Sequence, residues 1–352
     1  MFKGSDNFSI KFVLLFGLVL VLALAACTPG ITETEEPITA PETETPATEA
    51  PEIQETPLAP VGPPTVLIVS GDGYDRSVFS RLESLVEAKA ADAGLQLVVL
   101  EGITPEMITP EVQVVIGVGA NLDINGLAMS SPAVQFLAIG DATTNVANNV
   151  SLIGDPANDM RRQAFMAGYL TALVSRDYKI AALLPSDHPD LDVLGESYIL
   201  GGRYYCGICQ PLFPPYNAFP QWRGLDSEPG EGAFRPMLTN LFDIGVDVVY
   251  VHQDLAEPDL FVYLNELGIK AIGDRSPDML RNNWVATVTV DPVPALQELW
   301  PDLLAGNPGV QKSAGIRLID VEMGLISEGR IRFFNEVAAE LQAGMIAIEI
   351  VP

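Results

Sequence analysis

Aspartate is the residue type in this 352-residue chain whose placement most suggests chemistry. It recurs in short polar segments that follow apolar, β-branched runs, among them SGDGYD (70–75), IGDATTN (139–145), LPSDH (184–188), VHQD (251–254) and IGDRS (272–276). Carboxylates there can accept a ligand's hydroxyl hydrogens, cap the next helix or form a glycosidase pair. Ligand binding and capping are the preferred readings. The other reactive groups are few. Cys206 and Cys209 make a CxxC in YYCGICQ, and His188 and His252 are the only histidines. A four-ligand zinc site would have to draw on both histidines as well as this pair. A thioredoxin-like CxxC should open a helix after a strand, whereas this one falls near the end of a predicted helix. A structural disulfide, two free thiols and a redox pair stay open, in that order.

Several enzyme signatures fail on inspection. The GxG of SGDGYD lacks the third glycine of a dinucleotide fingerprint, and GNPGVQKS (306–313) has Gln311 where a phosphate loop needs glycine before its lysine. No GxSxG elbow occurs. Ser186, Asp187 and His188 are adjacent in sequence, whereas triads assemble from distant segments. His252 ends a predicted strand and is read as facing a cleft or capping a helix. The expectation is a non-enzyme that needs no cofactor or metal. A net charge of −27 argues against nucleic acid and anionic headgroups as partners.

The elements that must position these residues alternate regularly. TVLIVS (65–70) reads as a buried strand, and 76–93 carries Val78, Phe79, Leu82, Leu85 and Val86 at helical spacing, closed by Gly94. Further strands are expected at 95–100, 112–119 and 134–141. Asp155-Pro156 supplies an N-cap and a first-turn proline for a helix to about residue 175. A second series follows: strand 179–185, helix 190–206, strand 209–214, helix 231–243, strand 246–252, helix 257–266 and strand 269–274. Strand 284–290 and helix 292–305 complete it. Strands spaced by helices imply parallel sheets wound with right-handed crossovers. Two such series imply two α/β lobes, with ligand beyond the strands' C-terminal ends. The polar segments lie at those ends.

Cys27 stands apart from this pattern. Lys3 and Lys11 precede an apolar run over 12–26. That run is shorter than the roughly 20 residues of a membrane-spanning helix and ends in small residues, as a secretory signal does. Leu24-Ala25-Ala26-Cys27 resembles a bacterial lipobox, which makes 1–26 a signal peptide and Cys27 the acylated (palmitate-bearing) first residue. Residues 27–63 are mostly Thr, Pro, Glu and Ala without Lys or Arg, a composition too polar to fold. A proline-stiffened spacer of this kind could reach on the order of 100 Å. It would hold the folded part off the extracytoplasmic face of the cell membrane.

The ordered motifs also carry a family resemblance. QFLAIGDATTNVANNVSLIGDPANDMRRQAFMAGYLTALVSRDYKIAALLP, with Asp141, Asn149-Val150, Phe165 and Gly168, resembles the core of the basic membrane protein (purine nucleoside receptor) lipoproteins. IGVDVVYVH, the IGD ending at Asp274, and GLISEGRIRFF add to it, and the similarity spans about residues 64–350. The resemblance implies a type I periplasmic-binding fold of two doubly wound parallel-sheet lobes with a three-strand hinge. Lobe 1 would hold 64–176 and lobe 2 177–284, with 285–312 returning to lobe 1 and 313–352 completing lobe 2. It implies a solute-binding protein of an ABC importer, with a small polar ligand such as a nucleoside and an ABC permease as partners. A tethered sensor of the same fold is the alternative, and a secreted hydrolase a distant one. The expected ligand-binding residues are Asp72, Tyr74, Asp75, Phe79, Asp141, Trp222 and Asp274. Asp141 and Asp274 are the carboxylates that match the family, and Tyr74, Phe79 and Trp222 offer stacking faces.

Overall fold

The computed structural model describes residues 62–348 apart from 228, 229, 231 and 276–281. Cys27, the signal segment and nearly all of the spacer lie outside the described residues. The first sheet begins with β1 (Thr65–Ser70), β2 (Gln96–Glu101), β3 (Val112–Val118), β4 (Gln135–Ile139) and β5 (Val150–Ile153). Between them run α1 (Arg76–Ala93) and the short α2 (Ile124–Ser130). The second series comprises α3 (Pro156–Val174), β6 (Ile180–Pro185), α4 (Leu191–Cys206), β7 (Gln221–Leu225), α5 (Arg235–Asp243), β8 (Val248–Val251), α6 (Pro258–Glu266) and β9 (Lys270–Gly273). The chain ends with β10 (Trp284–Asp291), α7 (Val293–Ala305), β11 (Gln311–Lys312), β12 (Gly315–Ile319) and α8 (Glu328–Gln342).

Two six-stranded sheets result, ordered β11-β5-β4-β3-β1-β2 and β12-β10-β9-β8-β6-β7. Every pairing is parallel except β10 with β12. Helices cover both faces, so central strands such as β6 and β8 are buried at every position and read as unbroken apolar runs. The chain crosses between the sheets three times: before α3, after β10, and between β11 and β12. Leu296, Leu299 and Trp300 of α7 join the core of the first sheet, whereas Phe334 and Leu341 of α8 join that of the second.

Two elements differ from the sequence reading. The strand expected at 209–214 lies instead at β7, because Pro211, Pro214 and Pro215 cannot donate to a ladder while 221–225 pairs cleanly with β6. Helix α3, grouped by sequence with the first lobe, packs with β6, β8, β10, α4 and α8 in the core of the second. Its contact with α4 is unusually close. A Cβ on Gly168 would stand 2.0 Å from Tyr198 O, and one on Gly201 1.8 Å from Phe165 O. Only glycine allows the two helix backbones to meet there.

Candidate functional site

The C-terminal ends of both sheets open onto one cleft. The turn after β1 contributes Gly73, Tyr74 and Asp75, and the ends of β3 and β4 contribute Val118, Gly119, Ile139 and Gly140. Gln253 and Asp274 come from the second sheet. The crossings add Asp159 and Gln163 on α3 together with Thr289, Val290, Pro292 and Ala314, enclosing about 190 Å³. That volume suits a small metabolite rather than a drug-sized molecule. The first-lobe wall is set by a bridge between two turns. Asp72 N–H donates to Ala120 O (3.0 Å) and Ala120 N–H to Asp72 O (2.9 Å). Gly119 sits at φ +96°, and a Cβ there would stand 2.6 Å from Asp72 O and 3.3 Å from Tyr74 Cβ.

Asp274 is the group in this cleft with an unmet demand. It ends β9 and is only 7% exposed. Tyr250 Oη donates to its Oδ2 at 2.7 Å. His252 Nε2 stands 3.8 Å from the same oxygen, too far for a hydrogen bond. Its Nδ1 accepts Asp254 N–H (3.3 Å), so a neutral ring carries its proton on Nε2, toward Asp274. Oδ1 is buried with no hydrogen-bond partner among the described residues. Leaving such an acceptor unpaired costs about 1–3 kcal/mol. Burial pushes the Asp274 carboxyl above the ordinary range, opposed by the nearby His252 and the Tyr250 hydrogen bond. Gly273 leaves room for Trp284: a Cβ there would lie 2.5 Å from Cη2 of that ring.

The neighbouring polar groups are largely occupied. Asp75 Oδ1 accepts Ser77 N–H (2.7 Å), Ser77 Oγ–H (2.6 Å) and Val78 N–H (3.1 Å), capping α1. Asp159, which sequence reasoning missed, is buried and pairs with Arg162 one helical turn on. It also accepts Asp155 N–H at 2.9 Å, and burial raises its carboxyl against the pull of Arg162. Gln163 Nε2 donates to Val288 O (2.8 Å) and more weakly to Asp274 O (3.4 Å), tying α3 to β9 and β10. The only sequence signal for Asp159 was its i,i+3 spacing to arginine just inside a capped helix. Gln163 carried none.

The remaining expected residues lie outside the cavity wall. Asp72 accepts from Asn121 Nδ2 (2.9 Å) beside the bridge. Phe79 is buried in the first core and backs Tyr74, ring centroids 5.1 Å apart. Asp141 is buried but spends its oxygens on Thr143 N–H (2.9 Å), Thr143 Oγ1 (2.7 Å) and Thr144 Oγ1 (2.7 Å). Burial would raise its carboxyl, yet these bonds together hold it below the usual value. Trp222 sits on β7, the outer strand of the second sheet, against Gly195 of α4. Cys206 and Cys209 are joined as a disulfide at the last turn of α4, Cα atoms 4.8 Å apart. Ser186 donates to Asp226, Asp187 accepts from Ser227, and His188 Nδ1 accepts Asp190 N–H. These adjacent residues hold their loop rather than one another. His252 caps the short 3-10 turn Gln253–Leu255.

Solved structures share this architecture. An ABC transporter system solute-binding protein from Conexibacter woesei superposes with a TM-score of 0.59 at 15% identity, covering 82% of this chain and 98% of its own. A second, from Aeropyrum pernix K1, gives 0.53 at 15% identity over 82% and 94%. The chain has a periplasmic-binding-protein fold. A transcriptional activator of the comK gene from Bacillus halodurans also shares it, with a TM-score of 0.52 at 12% identity over 80% of this chain and 99% of that one. No protein-family model matches the chain, and no curated protein is significantly similar to it. Identities this low speak for the fold alone.

Proposed function

We propose that the chain is a lipid-anchored solute-binding protein on the extracytoplasmic face of the cell membrane, delivering a small polar ligand to an ABC permease. The observation that carries this reading is the cleft between the two strand ends, with the buried, half-satisfied carboxyl of Asp274 in its wall. A binding protein needs such a concave, mostly apolar site with a few unsatisfied polar groups. The lipobox at Cys27 supports the anchor, and the ordered motifs over 64–350 support membership of the basic membrane protein lipoproteins, with a nucleoside as the ligand that family implies. The test is a thermal-shift screen of nucleosides, sugars, amines and amino acids on the detergent-solubilised full chain. A ligand at 100 times its Kd should add about 2.7 kcal/mol. No stabilisation by any class would remove the reading. For the anchor, Cys27→Ser should abolish the acyl mass at the mature N-terminus and detach the protein from membranes. Unchanged attachment without an acyl group would overturn it.

A tethered sensor is the second reading, favoured by the shared fold of the comK-gene activator. Adjacent permease and ATPase genes support import, and an adjacent kinase or regulator supports sensing.

A further inference from the structure

The geometry points to a small organic cation as the ligand: an ammonium head on the Asp274 carboxylate with an apolar body along the first-lobe wall. This rests on the solute-binding reading and departs from the nucleoside that the family resemblance implies. Three observations carry it. The first is the buried acid, which has one oxygen held by Tyr250 and the other unpaired. A ligand that brings a hydrogen-bond donor satisfies the ionised acid, and a charged donor compensates a carboxylate in a low-dielectric site far better than a neutral one.

The second is the absence of cationic side chains from the wall among the described residues. Two arginines beside the wall are paired with acids: Arg162 with Asp159, which lines the cavity, and Arg81 with Asp291. An anionic ligand would meet Asp75, Asp159 and Asp274 with no cationic side chain among the described residues of the wall to receive it. The third is the poverty of free polar groups elsewhere. Asp75 caps α1, Asp159 is held by Arg162 and Asp155, and Gln163 is spent on two carbonyls. Apart from Gln253 and Thr289, the rest of the wall is mostly apolar side chains and glycine, with Val78, Val118, Ile139 and Val290 among them. A polyol would bury several hydroxyls against these side chains, each costly without a partner. A single charged head on an apolar body buries fewer polar groups without partners than a polyol does, and the aromatic Tyr74 lines the same cavity.

The test is a head-group series on one body, read by calorimetry on the detergent-solubilised full chain. Butylammonium is compared with butanol and butyrate, and putrescine with ribose and inosine. The expected order places both amines above every neutral and anionic probe. Asp274→Asn keeps the shape and a hydrogen-bond acceptor but removes the charge. It should weaken amine binding at least about tenfold while changing butanol binding little. If that variant does not fold, Tyr250→Phe frees the second oxygen without touching the charge and should preserve or strengthen amine binding. Tighter binding of ribose, inosine, butanol or butyrate than of the amines overturns the cation assignment and leaves the solute-binding reading intact. Equal loss of amine and butanol affinity in Asp274→Asn overturns it too. No binding by any probe removes both.

Discussion

The turns after β4 and β9 are built from the same start, Ile-Gly-Asp, and come to opposite ends. Asp141 and Asp274 are 6% and 7% exposed, so burial does not distinguish them. Asp141 receives three hydrogen bonds from the two threonines that follow it, and its carboxyl is held below the ordinary value. Among the described residues Asp274 receives one, from Tyr250 on the neighbouring strand β8, and is pushed above it. A buried carboxylate with enough donors is a structural part. One short of a donor, in the wall of a cavity, is the better candidate for a binding group. The difference lies in the hydrogen-bond count, not in depth or in the local motif.

The sharpest way to break this comparison is to truncate both acids. Asp274→Ala should weaken ligand binding by about 1.5–3 kcal/mol, roughly tenfold to more than a hundredfold in Kd, with the apo melting temperature nearly kept. Unchanged affinity, measured by calorimetry with whichever probe stabilises the wild type, would remove Asp274 from the site. Asp141→Ala should behave the other way round, losing about 1–2 kcal/mol of stability and no affinity, since it surrenders a turn and not a contact. A loss of affinity at constant melting temperature would return Asp141 to the site.

The two acids should also respond to pH with opposite sign. A depressed carboxyl such as Asp141 stabilises the fold above the unfolded value of about 3.9 and loses that contribution as pH falls through its lower folded value. A raised carboxyl such as Asp274 does the reverse. Its contribution is present below the unfolded value and is lost as pH rises through the higher folded one. Asp274→Asn should therefore melt above the wild type near pH 7, and the gain should shrink toward zero below about pH 4. A gain independent of pH would show that charge burial is not its source. The smallest effect is expected far from both turns. Trp222→Phe, on the outer strand of the second sheet, should change affinity less than about twofold. A larger change would mean that the cleft extends along β7.

Part of the cavity wall is legible in the sequence. Tyr74, Asp75 and Asp274 stand at strand ends in a parallel sheet and do line the cavity. Trp222 offers a stacking face by residue type alone, and a strand expected at 209–214 rather than 221–225 conceals its place on an edge strand. Phe79 falls one helical turn inside α1, so its ring turns to the core and supports Tyr74 rather than a ligand. The local difference between the two Ile-Gly-Asp turns was partly visible, because Thr143 and Thr144 can fold back on Asp141 as hydroxyl donors.

Some properties of this protein follow from the chain alone, because they depend on neighbours within a few positions. The alternation of buried strands and capped helices, the Asp75 and Asp155 caps, and the glycine at the end of α1 are of this kind. Tertiary structure decided the rest. The partners of Asp274 come from β8 and those of Gln163 from β9 and β10, separations of 24 to 125 residues that no local pattern encodes. Helix α3 belongs to the second lobe because its apolar surface runs nearly all the way round and needs β6, β8, β10, α4 and α8 to cover it. Local hydrogen bonding and periodicity are written in sequence distance. Donor counts at a buried acid are set by what the fold brings from elsewhere.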